Sequence, residues 1–95
     1  MKLVWTPQAL EDIASVYRYI AADDPKAAKR IVDVIRTSVA EILSAFPEAG
    51  RPGRVEGTRE LVIKGTPFIV PYSVGSEVLN VLGVHHAARR WPSAC

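Results

Sequence analysis

Two helix starts of the same design lie in the first half of the chain, and they constrain its fold more than any other feature. At Thr6-Pro7 and again at Asp24-Pro25, a side chain that can accept a hydrogen bond from a free backbone N–H precedes a proline. Proline is tolerated at the first position of a helix, where its missing N–H removes no bond. The sequence therefore predicts a helix over about Pro7–Ala22 and a second from Pro25 to just before Pro47, joined as an antiparallel hairpin.

Each predicted helix has one apolar face, which requires a covering layer. On the first helix that face contains Leu10, Ile13, Ala14, Tyr17, Ile20 and Ala21. On the second it contains Ala28, Ile31, Val34, Ile35, Ser38, Val39, Ile42 and Phe46. The remaining positions are largely charged or polar, so the hairpin is expected to pack by one side on another element.

That element is a predicted sheet. A loop rich in turn formers over 47–57 separates the hairpin from three segments with strand character. The predicted strands are Lys2–Trp5, Thr58–Ile63, Phe68–Val74 and Val78–His86. The order is β-α-α-β-β-β, which indicates an α+β fold with the helical hairpin packed on a small antiparallel sheet, as one domain over residues 1–95.

Two positions refine the predicted sheet. Apolar side chains occupy both faces of the last strand, which predicts a central place for it. Pro71 has no N–H to donate to a strand partner, so it indicates a sheet edge or a bulge. Tyr72 alternates with apolar neighbours, so core packing is expected for it rather than contact with a ligand.

The composition excludes several classes of protein. The 95 residues include one cysteine, Cys95, which leaves no internal disulfide framework and favours a reducing, cytoplasmic compartment. No segment has the length of a membrane span, and the short start before Thr6 is not a signal peptide. One cysteine and two histidines do not supply a structural zinc site, and no phosphate-binding loop follows the glycines. No metal and no cofactor are therefore expected.

The charge is divided unevenly along the chain. Residues 1–50 carry six Lys and Arg against seven Asp and Glu, a net of −1, whereas residues 51–95 carry six against three, a net of +3. A basic surface in the second half could attract nucleic acid or an acidic protein partner, and it could equally be a solvated face. Four basic residues are candidates for binding a target or nucleic acid: Arg59, Lys64, Arg89 and Arg90.

His85 and His86 are the candidates for acid–base chemistry. Adjacent residues of a strand point to opposite faces, so no more than one of them is expected at a given site. An imidazole beside arginines could move a proton on RNA while guanidinium groups stabilise the phosphate charge. The alternative is a histidine that packs and hydrogen-bonds locally at a strand end, and the residue types do not decide between the two.

Three stretches of the sequence resemble the RelE/ParE superfamily of bacterial toxins. The first runs from Trp5-Thr6 through Asp12 and includes Tyr19-Ile20-Ala21 and Asp24-Pro25. The second is Gly50–Val55 followed by Gly57–Leu61. The third is Pro67–Val70 with Tyr72, and it closes with Val84, His86 and Ala88 through Pro92.

The resemblance implies a small growth-inhibiting toxin that a cognate antitoxin holds inactive in a hetero-oligomeric complex, of the kind associated with plasmid stabilization. One branch of the superfamily cleaves mRNA on the ribosome, and the ParE-like branch inhibits DNA gyrase. This chain resembles the ParE-like branch more closely, through Gly57–Leu61 and Pro67–Val70. By the same resemblance, His86 would be the catalytic residue only if the chain is an endoribonuclease, and Arg59, Lys64, Arg89 and Arg90 would contact the target.

Overall fold

The computed structural model describes residues 1–88, which form a helical hairpin packed on a sheet. The helices are α1 (Pro7–Ala21) and α2 (Pro25–Ala45). The strands are β1 (Lys2–Trp5), β2 (Arg51–Pro52), β3 (Arg59–Val62), β4 (Phe68–Val74), β5 (Val78–Val81) and β6 (His85–His86). The α+β fold is thus confirmed, and the loop predicted over 47–57 contains the short strand β2. Within residues 1–88, no helix is long and apolar enough to cross a membrane.

Both predicted helix caps are present. Thr6 Oγ1 accepts a hydrogen bond from the Ala9 N–H at 3.2 Å, and Asp24 Oδ1 accepts one from the Ala27 N–H at 3.1 Å. Thr6 also donates through its hydroxyl to the Val81 carbonyl at 2.9 Å, and its own N–H donates to the same carbonyl at 3.0 Å. The start of α1 is therefore fastened to the end of β5.

The buried face of each helix differs from the predicted face. On α1 the buried residues are Ala9 and Ile13, whereas Leu10 and Tyr17 remain 47% and 42% exposed. The apolar pattern identifies a wide stripe but does not show which part of it faces the sheet. On α2 the helix ends at Ala45, and Phe46 is 68% exposed at the C-cap, so it does not continue the buried stripe.

The sheet is mixed, whereas a purely antiparallel one was predicted. Its strand order is β1-β5-β4-β3-β2, with β6 paired to β4. β1 lies parallel to β5, and the other pairs are antiparallel. Two parallel neighbouring strands need a long chain connection between them, and α1 and α2 form part of the connection from β1 to β5. The expectation of a central place for Val78–Val81 is confirmed, because β5 lies between β1 and β4.

The predicted last strand is interrupted, and Pro71 lies opposite the interruption. Tyr72 pairs with Val81 and Ile69 pairs with His85, so two residues of β4 face three residues, Leu82–Val84. One extra residue on one strand is a β-bulge, which is one of the two environments that a strand proline predicts. The Leu82 N–H donates to the Pro71 carbonyl at 2.9 Å, and Pro71 has no N–H to return.

The core lies between the helices and one face of the sheet. Its fully buried members include Ile35, Val39, Val70, Tyr72 and Val81. The expectation that Tyr72 belongs to the core is confirmed. Gly65 turns the chain between β3 and β4 with a φ of +83°, a conformation that favours glycine.

Candidate functional site

A groove of about 1090 Å³ lies between α1 and the segment that runs from the bulge through β6. One wall is formed by α1, including Asp12, Ser15 and Tyr19, and the other by Leu82, Val84, His85, His86 and Ala88. Apolar and polar groups both contribute, which is typical of ligand and peptide sites. The groove therefore offers both apolar and polar groups to a binding partner.

Both histidines line this groove. His86 packs edge-on against Phe68, with ring centroids 5.5 Å apart, and its Nδ1 accepts the Ala88 N–H at 3.1 Å. A neutral His86 ring accordingly carries its proton on Nε2. The expectation that only one histidine reaches a given site is wrong for this groove, because the groove follows the chain from Leu82 to Ala88 instead of one face of the sheet.

The bulge is held by a carboxylate from α1. Asp12 Oδ2 accepts the Val84 N–H at 3.1 Å, and Asp12 Oδ1 accepts from Gln8 Nε2 at 2.8 Å. A Cβ at Gly83 would lie 2.8 Å from Asp12 Oδ2, so the close approach of the carboxylate depends on a glycine there. Sequence reasoning missed this contact, although Pro71 and Gly83 lie at the positions that it requires.

Arg59 is placed where it holds a loop. Its Nη1 donates to the Gly50 carbonyl at 2.7 Å and to the Glu48 carbonyl at 3.3 Å, and its Nη2 lies 3.6 Å from Glu48 Oε1. The Arg59 side chain is about one-third exposed, with 34% of its surface accessible. Its Nη1 is used within the protein, so any contact with a target involves the rest of the exposed side chain.

Glu60, next to Arg59, is the buried charged residue of the same region, with 2% exposure. Its Oε1 lies 3.2 Å from Arg51 Nη2, while its Oε2 accepts the Arg54 N–H at 3.0 Å and lies 3.7 Å from Arg54 Nε. Buried carboxylates are stable only when they are hydrogen-bonded and paired, and Glu60 is both. It thereby anchors the chain between β2 and β3.

Tyr72 completes this network from the core. Its hydroxyl oxygen accepts the Gly50 N–H at 2.8 Å, and Gly50 is itself bonded to Arg59 through its carbonyl. Burial raises the pKa of the Tyr72 hydroxyl above its ordinary value, because the phenolate would be poorly solvated. The side chain is fully buried and its oxygen is bonded to the Gly50 N–H, so a substrate cannot reach the hydroxyl and a proton-donor role finds no support.

Two of the four predicted basic residues lie in the described part of the chain. Arg59 lies at the start of β3. Lys64 is exposed on the turn after β3, and Arg89 and Arg90 lie outside the described residues. The sequence places ten Lys and Arg and ten Asp and Glu in residues 1–88, so the net charge of +2 is carried by Arg89 and Arg90.

A metal role is not suggested by the side chains within residues 1–88. No three His, Cys, Asp or Glu side chains in this part of the chain lie close enough together to hold an ion.

Comparison with known proteins identifies the family. The model of the family described as "ParE toxin of type II toxin-antitoxin system, parDE" matches residues 3–91. The protein Y4kP of Sinorhizobium fredii, whose name describes it as a toxin, is 43% identical over 91 residues, covering 96% of this chain and 93% of that protein. Toxin RelE2 of Caulobacter vibrioides is 34% identical over 88 residues, covering 93% and 97%.

Solved structures agree with that identification. A chain of the chromosomal ParDE toxin–antitoxin system of P. aeruginosa superposes with a TM-score of 0.80 at 31% identity, covering 90% of this chain and 95% of that one. A chain of the RelBE2 complex of Mycobacterium tuberculosis shares the fold, with a TM-score of 0.68 at 23% identity and coverage of 90% and 95%. This chain belongs to the ParE toxin family of type II toxin–antitoxin systems, within the RelE/ParE superfamily.

Proposed function

We propose that this toxin inhibits growth by interfering with DNA gyrase and that a cognate antitoxin neutralises it in a toxin–antitoxin complex. The observation that carries the proposal is the match to the ParE family over residues 3–91. The resemblance of Gly57–Leu61 and Pro67–Val70 to the ParE-like branch supports the same target. In this proposal the toxin binds gyrase or its DNA complex and changes no covalent bond.

The proposed target contacts are Arg89, Arg90, Lys64 and the exposed edge of Arg59. Arg89 and Arg90 are expected to contribute most, because residues 1–88 are electrically balanced and these two arginines supply the net charge. Arg59 also stabilises the loop through Gly50, so the toxicity of an Arg59 variant has to be compared at equal amounts of folded protein.

The test is pulse incorporation of labelled thymidine and labelled amino acid, minutes after this gene alone is induced. An early fall in thymidine incorporation with translation intact is expected for a gyrase inhibitor. An Arg89→Ala/Arg90→Ala protein should lose that effect while it still binds the antitoxin. Retention of full toxicity by this variant would contradict the proposed contacts, and a failure of both proteins to affect either pulse would indicate an inactive toxin retained for antitoxin binding.

A second candidate is ribosome-dependent cleavage of mRNA, with His86 as the general acid or base. The similarity to toxin RelE2 and the place of His86 on the groove wall favour it. It predicts that translation fails first, that transcripts are cut in the A-site codon, and that His86→Ala abolishes cutting. Intact transcripts in arrested cells would rule this candidate out.

For the antitoxin, the proposed binding surface is the groove beside α1. Tyr19 lines it and is 79% exposed, whereas Tyr17 on the same helix is 42% exposed and lies outside the groove lining. Tyr19→Ala is expected to weaken antitoxin binding in a co-purification assay, with Tyr17→Ala as the matched control. Equal binding by the two variants would place the antitoxin elsewhere.

A further inference from the structure

We propose that Asp12 binds a basic residue of the antitoxin and thereby selects an antitoxin segment in which a Lys or Arg accompanies apolar side chains. The inference deepens the proposed function, because it rests on the groove beside α1 as the antitoxin surface. It adds the chemistry of the segment that binds there, and the groove residues concerned all lie within residues 1–88.

The groove contains one carboxylate and, among the described residues, no Lys or Arg to balance it. Asp12 is that carboxylate, and the side chains that line the groove with it are apolar or uncharged apart from the two histidines. Of these, His86 accepts the Ala88 N–H through Nδ1, as a neutral imidazole does. None of the ion pairs within residues 1–88 includes Asp12. The groove therefore presents a negative group that a partner can pair.

Asp12 is half-buried and accepts two hydrogen bonds, both from neutral donors. Its Oδ1 accepts from the Gln8 side-chain amide at 2.8 Å, and its Oδ2 accepts from the Val84 N–H at 3.1 Å. A carboxylate has about four acceptor positions, so roughly two remain for an incoming donor. The two existing bonds fix the direction of the carboxylate before a partner binds, which lowers the cost of binding.

Covering this carboxylate without pairing it would be costly. A segment that fills the groove removes water from Asp12, and a charged group taken out of water destabilises a complex unless a cation or further hydrogen bonds replace that water. A Lys or Arg supplies both the opposite charge and the donors. Charge complementarity therefore points to a basic residue in the antitoxin segment.

The side of β6 that faces the groove is closed to an added strand. β6 pairs with β4 on its other side, and a further strand would need unused backbone groups along the groove. The Val84 N–H donates to Asp12 and the Ala88 N–H donates to His86 Nδ1, so side chains already use both amides. The antitoxin segment is therefore held in this groove through its side chains, an arrangement in which a single basic residue has a large effect.

Apolar side chains line the groove at a defined distance from Asp12. Val16 and Ile20 follow it on α1, one and two turns further along the helix. Phe68 and Ile31 line the groove from β4 and α2. The helix rises about 12 Å between Asp12 and Ile20. The matching segment therefore carries its basic residue toward one end and apolar side chains about 12 Å away.

The test is the affinity of the purified toxin for its cognate antitoxin, a measurement that needs no toxic activity. Asp12→Asn removes the charge and keeps both contacts, because its amide oxygen can accept the Val84 N–H and the Gln8 amide can turn to accept its N–H. The dissociation constant should rise about tenfold at low salt, the size of a lost charge-assisted contact, and by less at high salt. Glu11→Gln is the matched control, since Glu11 is an exposed carboxylate that pairs with Arg18 and does not line the groove.

A charge exchange separates pairing from any structural effect of the substitution. Asp12→Lys should bind the unmodified antitoxin about a hundredfold more weakly, because like charges then meet. In a set of antitoxin variants with each Lys and Arg changed in turn to Glu, one variant should restore binding to Asp12→Lys. Failure of the whole set to restore binding would overturn the inference.

Tyr19→Ala, measured in the same assay, distinguishes failure of this inference from failure of the proposed antitoxin surface. If Tyr19→Ala weakens binding while Asp12→Asn and Glu11→Gln both bind normally, the antitoxin occupies the groove without pairing Asp12, and the inference is overturned. If none of the three variants changes the affinity, the groove is not the antitoxin surface, and both proposals fail. A toxin dimer that Asp12→Asn dissociates would overturn the inference in favour of a second copy of the chain as the occupant.

Discussion

Two regions of the sheet, the β2–β3 end and the β6 end of the strand pairing with β4, use charged and polar residues in opposite ways. At the β2–β3 end, Arg59, Glu60 and Tyr72 bond to the loop that contains Gly50 and Arg54, and the charged groups are paired inside the protein. At the β6 end, Asp12 and the two histidines line an open groove. Arginine is the residue type that most strongly suggested target binding. At the β2–β3 end, however, the arginines mainly stabilise the fold.

Local charge balance explains this difference. The segment 48–60 contains three arginines and three glutamates, so it produces little field at a distance. A binding role is better supported where charge is unbalanced, and in this chain the excess lies at Arg89 and Arg90. Residue type alone did not reveal the structural role of Arg59, whereas its bonds to the Gly50 and Glu48 carbonyls do.

The largest effect on stability is expected at Glu60. Glu60→Ala should lower the free energy of unfolding by about 2–3 kcal/mol, because the partly buried Arg54 N–H loses its acceptor and both arginine pairs are lost. Chemical denaturation measures the change. Glu56→Ala, at an exposed position of the same loop, should stay within about 0.5 kcal/mol. If the two variants are equally stable, the charged contacts of Glu60 at the β2–β3 end do not stabilise the fold.

A smaller effect, about 1–2 kcal/mol at neutral pH, is expected for Tyr72→Phe, which leaves the Gly50 N–H without its acceptor. Because the pKa of Tyr72 is raised in the folded state, its contribution is present below the ordinary value of 10.0 and is lost as the pH rises through the folded value. The stability difference between the unmodified protein and Tyr72→Phe should therefore narrow above about pH 10. Denaturation at neutral and alkaline pH, with the exposed Tyr19→Phe as control, measures this. A constant difference would contradict it.

Much of the fold follows from local sequence signals. Thr6-Pro7 and Asp24-Pro25 define helix starts because cap and proline act within one turn, and both caps are present. The buried face of α1 was less predictable, since an apolar stripe is shared between the sheet and α2. That sharing leaves Leu10 partly exposed and buries Ala9.

The site was harder to predict because its contacts join distant positions. Arg59 finds its carbonyl partners nine and eleven residues away, and Asp12 finds Val84 after 72 residues. Predicting the bulge also requires the strand register, because Pro71 alone does not show which residues lie opposite it. His86 was proposed from its type, its strand position and the family resemblance, and it lies on the groove wall. Asp12 looked like one more polar residue on a helix surface.

The smallest effect is expected for Lys64, which tests whether the exposed end of β3 contributes to target binding at all. Lys64→Ala should change the free energy of unfolding by less than about 0.5 kcal/mol, since the side chain is exposed on a turn. Its toxicity should fall by only about twofold, the size of a single exposed charge contact. Lys2→Ala is the matched control, because Lys2 is an exposed lysine on the opposite edge strand, β1. If the two variants inhibit growth equally, Lys64 is a solvated surface residue. Target binding would then have no contribution from Lys64, which follows β3, and the contrast with the β6 end would be sharper.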